Sequence, residues 1–310
     1  MGHALSGWLP DTTFPPVDAP LRCGVSGGAD SLALLALGVA SGCAVTAVHV
    51  DHGQRPGSAE EARIVERCAV SLGASFESHR VEVEAGSNIE ARMRAARYGV
   101  LGPTAATGHT ADDQAETMLI NLVRGSGLVG LGAMEPGPRR PILSLRRADT
   151  EAICATLGWE PVIDESNSDP AFLRNRMRHE VMPLLNEVAA RDVVPLLARS
   201  AAHARDAASA LGAQAAEVDP TDAKQLQLVA PAIAAIALQR WVRDETGDDY
   251  PIDAASVQRV LNVANGHAKA AEVSGGWRVS RSKQMLRISD VATRESNVVG
   301  PTDYDGALHE

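Results

Sequence analysis

Leu21-Arg22-Cys23-Gly24-Val25, then Ser26-Gly27-Gly28-Ala29-Asp30-Ser31, then Leu32-Ala33-Leu34-Leu35-Ala36-Leu37 run as a short apolar strand, a glycine turn and an apolar segment of helical length. Glycines let backbone N–H groups approach a phosphate, and a helix that begins directly after them adds the positive end of its dipole. Ser26 and Ser31 add hydroxyl donors, and Asp30 is placed to hold Mg²⁺ against phosphate oxygens. No lysine follows the glycines, so this is not the G-x-x-x-x-G-K-[ST] loop. The bland alternative is an ordinary strand-to-helix turn.

Outward from this loop, strand and helix patterns alternate. Ala44 to Val50 reads as a second strand, ending at His49, Asp51 and His52. Ser58 opens a helix through a capping box with Glu61, and Gly73 closes it. Ser75 to Val83 alternates as a third strand, and Ser87 with Glu90 caps a helix that runs to about Val100. Ala105 to Gly108 is a fourth strand, and Ala111 to Val123 a further helix. This alternation predicts an α/β fold with a doubly wound parallel sheet. Gly125-Ser126-Gly127-Leu128-Val129-Gly130 matches G-x-G-x-x-G, but it follows a helix where a dinucleotide fingerprint needs a strand. It reads as a flexible loop near the active site.

Further on, residues 136–170 are loop-rich around one helix, Asp149 to Leu157. A helix begins near Asn175 and continues towards Ala210, kinked at Pro183 and Pro195. Helices near 226–246 and 253–265 precede a hairpin, Ala271 to Ile288, that turns at Gly275 and Gly276. The expected organisation is an irregular lead-in (1–16), a nucleotide-binding domain (17–185), a connecting helix (186–216), a small α+β C-terminal domain (217–289) and an acidic disordered tail (290–310).

The chain has 310 residues, 45% hydrophobic and 22% charged, with a net charge of −10. The sum hides acid-free basic stretches: Arg139, Arg140, Arg146 and Arg147; Arg174, Arg176 and Arg178; and Arg278, Arg281, Lys283 and Arg287. Local basic patches on an acidic protein can still bind phosphates, although solvated surface arginine is the plain alternative for each. Cys23, Cys43, Cys68 and Cys154 form no C-x-x-C pair, which argues against a zinc site or a redox dithiol. No basic segment followed by an apolar run opens the chain, so a cytoplasmic location is expected.

A second constellation is Gly108-His109-Thr110-Ala111-Asp112-Asp113-Gln114-Ala115-Glu116. It follows the fourth strand, at the sheet edge where open α/β folds bind ligands. Asp113 and Glu116 share one helix face, and such a pair suits an amine or Mg²⁺. Acids favouring a helix N-terminus are the alternative. His49, Asp51 and His52 fit no standard zinc spacing, and a role at the nucleotide edge of the sheet suits them better.

Taken in order, SGGADS, HVDHGQR, IEARMRAARY, GHTADDQAET, RGSGLVGL, and DESNSD followed by RNRMRHEVMPLL resemble the tRNA(Ile)-lysidine synthase family. SGGxDS alone is shared with other PP-loop enzymes, whereas the DDQ-x-ET and RNRxRH pair is more specific. The resemblance implies a PP-loop ATPase fold of the adenine nucleotide alpha hydrolase-like type. It implies two steps: a wobble cytidine in a CAU anticodon is adenylated with ATP, and lysine then displaces AMP. It places ATP at Ser26, Gly27, Gly28, Ala29, Asp30, Ser31, His52, Gly108 and His109, with Mg²⁺ on Asp30. It places free lysine at Asp113, Glu116 and Arg178, which with Asp30 are the expected catalytic residues. Arg94, Arg97 and Arg176, together with Arg278, Arg281 and Lys283 in GGWRVSR and beyond, are expected to face tRNA. Another SGGxDS enzyme (a tRNA thiolase or an amide-forming synthetase) and a non-catalytic nucleotide sensor are the alternatives. The absence of paired cysteines speaks against the thiolase, and the intact acids speak against the sensor.

Overall fold

The computed structural model describes residues 2–51, 53, 58–81, 89–162, 169–247 and 252–291. The chain divides into two compact units, Met1–Arg205 and Asp206–Glu310.

In the first unit, α1 (Gly2–Leu5) and a 3₁₀ turn precede β1 (Pro20–Gly24), α2 (Ala29–Ala40), β2 (Ala44–Asp51), α3 (Ser58–Ser71) and β3 (Ser75–Arg80). Then come α4 (Ile89–Leu101), β4 (Ala106–Thr107), α5 (Ala111–Val123), α6 (Leu128–Leu131) and α7 (Arg147–Thr156). The four strands form one sheet in the order β3-β2-β1-β4, and every pairing is parallel. The predicted doubly wound sheet is therefore present.

Strand alternation assigns the two faces. Val45 and Ala47 point into the main core with α2, whereas Val48 joins Leu101 of α4 and Ala105 in a separate cluster. Helix α2 is buried from Ser31 to Gly38, with Leu32, Leu34, Leu35 and Leu37 fully enclosed. A helix that is apolar all round has to be covered on every side. The sheet covers α2 on one side, α7 packs along it, and α1 and α3 also touch it. The lead-in expected to be irregular carries helical turns and places Leu5 fully inside this core. Three prolines in that segment conceal the turns from a reading of sequence pattern.

Downstream, α8 (Leu173–Arg176), a π-helical segment (Met177–Val181) and α9 (Met182–Ala189) run on into α10 (Val194–Ala216) only after a break. The expected continuous helix stops at Ala190, which is left-handed at φ 51°. Asn186 Oδ1 accepts from Val193 N at 2.9 Å, and Asp192 Oδ1 accepts from Val194 N at 3.0 Å. Pro195 thus opens a new helix and does not kink an old one, which is the position where proline is tolerated.

The second unit holds α11 (Ala223–Leu228), α12 (Pro231–Thr246) and α13 (Ala254–Ala264) against β5 (Ala270–Val273), β6 (Trp277–Ser282) and β7 (Met285–Asp290). These strands form an antiparallel meander, β5-β6-β7. The expected single hairpin has a second turn at Lys283 and Gln284, both at positive φ (48° and 68°). Such turns favour Asn and Gly, so Lys-Gln carries no turn signal in the sequence.

Candidate active site

The glycine loop lies between the end of β1 and the start of α2, with Gly28 as the N-cap. Gly27 is at φ 95°, and a Cβ there would lie 3.1 Å from Val162 Cγ2. Ser31 holds the loop from inside. Its hydroxyl donates to Gly28 O at 2.9 Å and accepts from Ser26 N at 3.1 Å. The first-turn N–H groups of a helix have no partner within the helix, so the turn presents donors at Gly28, Ala29 and Asp30. Gly108, just past β4, presses on this turn: a Cβ there would sit 2.6 Å from Asp30 O and 3.0 Å from Ser31 N. Glycine is therefore required at 108 for β4 to reach the loop.

Asp30 points towards α7. Thr150, fully buried, donates its hydroxyl to Asp30 Oδ1 at 2.5 Å, and Arg147 Nε lies 3.7 Å from Asp30 Oδ2. Burial pushes the Asp30 carboxyl above the usual aspartate range, and the nearby Asp113 charge adds to this. Thr150, Arg147 and Arg178 offset only part of it.

Asp113 and Glu116 sit on one face of α5, as their spacing predicts, and both are buried. Asp113 Oδ2 accepts from Thr110 N at 2.9 Å and from Thr110 Oγ1 at 3.0 Å, which closes the first turn of α5. Three guanidiniums converge on the pair. Arg178 reaches Glu116 with Nε at 2.7 Å and Nη2 at 3.1 Å, and Asp113 with Nη2 at 3.4 Å. Arg174, one turn earlier, reaches Glu116 at 3.0 Å and Asp113 at 3.3 Å. Arg147 reaches Asp113 at 3.4 Å and Glu116 at 3.5 Å. Burial raises the Asp113 carboxyl, but Arg174, the Thr110 N–H, Arg147 and His109 together outweigh it and hold Asp113 below its ordinary range. Burial likewise lowers the Arg178 guanidinium, and Glu116, Asp113 and Asp30 more than reverse that.

Beside this cluster, Arg146 grips Asp112 at 3.0 and 3.1 Å and also pairs with Asp192. Asp112 additionally accepts from the backbone of Arg147 at 2.9 Å. A cavity of about 180 Å³ opens here, with Asp112, Glu116, Arg147 and Arg178 on its charged side and Met182 and Val194 on its apolar side.

The structure brings Asp30, Asp113, Glu116 and Arg178 together, and Ser26 to Ser31 and Gly108 form the adjoining loop. His109 is half-buried, with Nδ1 2.7 Å from Thr107 Oγ1. His52 and the side chain of Arg94 lie outside the described residues, as does most of DESNSD. Arg97 is exposed on α4, and Arg176 is paired with Glu180 on the surface at 3.1 Å.

The basic meander divides by face. Arg278 and Arg287 stand opposite Ser289 and Ser280, on the side away from buried Val279 and Leu286. Arg281 is on the other side, where Nη1 donates to Ala264 O at 2.8 Å and caps α13. Lys283 is exposed in the second turn. Arg281 is thus engaged by the end of α13, on the face of the meander opposite to that of Arg278 and Arg287. The fixed alternation of strand faces accounts for the difference.

Sequence reasoning alone assigns no site role to Arg147, Arg174 or Thr150. The available signal is the acid-free basic run around each arginine, together with the i,i+4 spacing of Arg174 and Arg178. The loop after α5 is also more tightly held than expected. Gln114 exchanges hydrogen bonds with Met134 (2.9 and 3.0 Å), Asn121 Nδ2 donates to Gly130 O at 2.7 Å, and Arg205 donates to Met134 O at 3.0 Å.

Comparison with known proteins gives two results. Residues 14–185 match the family model of the PP-loop domain. The tRNA(Ile)-lysidine synthase of Nocardia farcinica is 38% identical over 94% of this chain and 94% of its own length. That of Rhodococcus jostii is 40% identical over 77% of this chain and 78% of its own.

Proposed function

The chain belongs to the tRNA(Ile)-lysidine synthase family, and from that membership and the site geometry we infer how it divides the work of an ATP-dependent, C–N bond-forming ligase. Cytidine O2 in the anticodon of tRNA(Ile) attacks the α-phosphate of ATP and releases pyrophosphate. The lysine amine then attacks C2 and expels AMP. The glycine loop and the first turn of α2 supply donors for the phosphates, where charge develops as pyrophosphate leaves.

Among the described residues, no group of three or more His, Cys, Asp or Glu is arranged to hold a metal. Mg²⁺ is commonly held by one or two carboxylates plus substrate phosphates, and Asp30 at the loop fits that role. The ion would neutralise phosphate charge there. The hydrogen bond from Thr150 fixes the orientation of the Asp30 carboxyl.

Free lysine is proposed to occupy the cavity beside α5. Its aliphatic stem suits Met182 and Val194, its amine suits Asp113 and Glu116, and its α-carboxylate suits a guanidinium fork. Asp113 is a weak base because its neighbours hold it ionised, so its proposed role is to orient the ammonium. The observation that carries this reading is the convergence of Asp113, Glu116 and Arg178 within one charged cluster that also reaches Asp30. The outward face of the meander, with Arg278, Arg287 and Lys283, is proposed to touch tRNA phosphates. So are Arg94, Arg97 and Arg176. A cytoplasmic site of action is proposed from the tRNA substrate. Among the described residues no helix is long and apolar enough to cross a membrane.

The test is lysine incorporation into unmodified CAU-anticodon isoleucine tRNA. Pyrophosphate release should require tRNA, and labelled lysine should enter the tRNA in equal amount. Pyrophosphate release without any lysine incorporation would overturn the reading in favour of another PP-loop activity.

A further inference from the structure

Three carboxylates, Asp30, Asp113 and Glu116, share one cluster with three guanidiniums, Arg147, Arg174 and Arg178, and the three cations are not held equally. Arg178 makes a 2.7 Å contact and Arg174 a 3.0 Å contact, both with Glu116. Among the described residues the ion-pair distances of Arg147 are 3.4, 3.5 and 3.7 Å, and they are divided among all three acids. Its main chain is nonetheless fixed at the start of α7 by the 2.9 Å bond to Asp112. Arg147 is thus a pinned backbone carrying a loosely shared charge, and it is the one guanidinium of the three whose ion pairs reach both Asp30 and the α5 pair.

We propose that Arg147 couples the two halves of the site, so that binding of a cationic amine at Asp113 and Glu116 strengthens binding of a polyphosphate at the glycine loop. This rests on the reading that lysine occupies the α5 acids and ATP the loop. An incoming ammonium adds a positive charge to a cluster that is balanced without it. The cation with the longest contacts yields first, and Arg147 already lies 3.7 Å from Asp30, so a small swing of its side chain carries it from α5 towards that carboxylate. There it meets the phosphate oxygens that the loop collects, which are the charges able to compensate it. Conversely, a bound polyphosphate draws Arg147 off the α5 acids and leaves them open for an amine. Reciprocity is required, because a coupling free energy is the same seen from either ligand. Arg147 is a positioning residue in this account and takes no part in bond making.

The experiment measures binding of L-lysine by calorimetry to the full chain, with and without Mg²⁺ and α,β-methylene-ATP, in the wild type, Arg147→Met and Arg147→Lys. The wild type should bind lysine at least about fivefold more tightly in the presence of the nucleotide analogue, which is the lower end of ordinary coupling. Arg147→Met should bring that ratio to within about twofold of one. Lysine alone should bind this variant at least as tightly as the wild type, because a competing cation has left the acids. A merely structural arginine would instead weaken both ligands. Arg147→Lys keeps a charge at the position and should keep the coupling. Coupling that persists in Arg147→Met, a wild type without coupling, or weaker lysine binding by Arg147→Met would each overturn the proposal. Glu116→Gln separates the underlying reading: if lysine affinity is unchanged in that variant, lysine does not occupy the α5 acids, and the site assignment fails before the coupling is tested.

Discussion

Replacing Glu116 by glutamine removes one charge at the most enclosed acid of the site, and its cost can be worked from the contacts. The side chain is 2% exposed, and guanidinium nitrogens approach it at 2.7, 3.0, 3.1 and 3.5 Å. Removing one partner from a buried ion pair costs about 3–5 kcal/mol. Asp113 stays to balance part of the charge and the amide keeps one acceptor oxygen, so the lower end, about 3 kcal/mol, applies. For a unit of this size, 1 kcal/mol shifts Tm by about 2–4 °C, so the midpoint should fall by roughly 6–12 °C. Losing a charge-assisted hydrogen bond to an ammonium costs about 1.5–3 kcal/mol, a factor of roughly 10–150. KM for lysine should rise by that factor, while tRNA-dependent pyrophosphate release in the absence of lysine should be largely retained at a temperature where the variant is folded. The assay compares pyrophosphate release with lysine incorporation across a lysine titration. Collapse of the adenylation step with an unchanged lysine dependence would refute the reasoning and assign the α5 acids to the nucleotide.

Asp30→Asn should abolish pyrophosphate release without lowering Tm at pH 7: a carboxyl raised on folding is destabilising once ionised, so its neutral counterpart relieves that cost, and a fall of several degrees would contradict this. Acidification should act oppositely through Asp112 and Asp113, both lowered on folding; the stability they contribute is present above about pH 4 and is lost as pH falls below it, visible as an acid unfolding transition that Asp113→Asn weakens. Gly108→Ala places a methyl group 2.6 Å from Asp30 O, and should cost about 1–3 kcal/mol by overpacking and weaken ATP binding more than tRNA binding. Neutralising Arg278 and Arg287 together should make the salt dependence of tRNA binding shallower by about 0.7–0.9 for each phosphate no longer neutralised, read as log Kd against log salt. Arg281→Ala should instead lower stability by about 1–2 kcal/mol and leave that slope unchanged.

Much of the site is legible in the sequence because its signals are local. The strand-loop-helix order around Ser26 to Ser31 follows from apolar runs and glycines, and the shared face of Asp113 and Glu116 follows from their spacing on α5. The rejection of Gly125 to Gly130 as a dinucleotide loop needs only the order of elements, and α5 stands directly before it where a strand would be required. Interactions at a distance are less accessible. Thr150 meets Asp30 across 120 residues, and nothing in either neighbourhood marks the partnership.

The sequence by itself determined the alternation that makes a parallel sheet, the phosphate-collecting turn, the acid pair on α5 and the family to which these motifs belong. Each of these is written in contacts within a turn or two of chain, or in the period of a strand or helix. Only the tertiary structure decided which arginines answer the acids, that Arg281 caps α13 while Arg278 and Arg287 face outward, and that Pro195 begins α10. Those outcomes depend on where separate elements come to rest against one another. A guanidinium on a long side chain pairs with whichever buried carboxylate lies within its reach once the core has closed, and leaving such a charge unpaired there costs more than any local preference can offset.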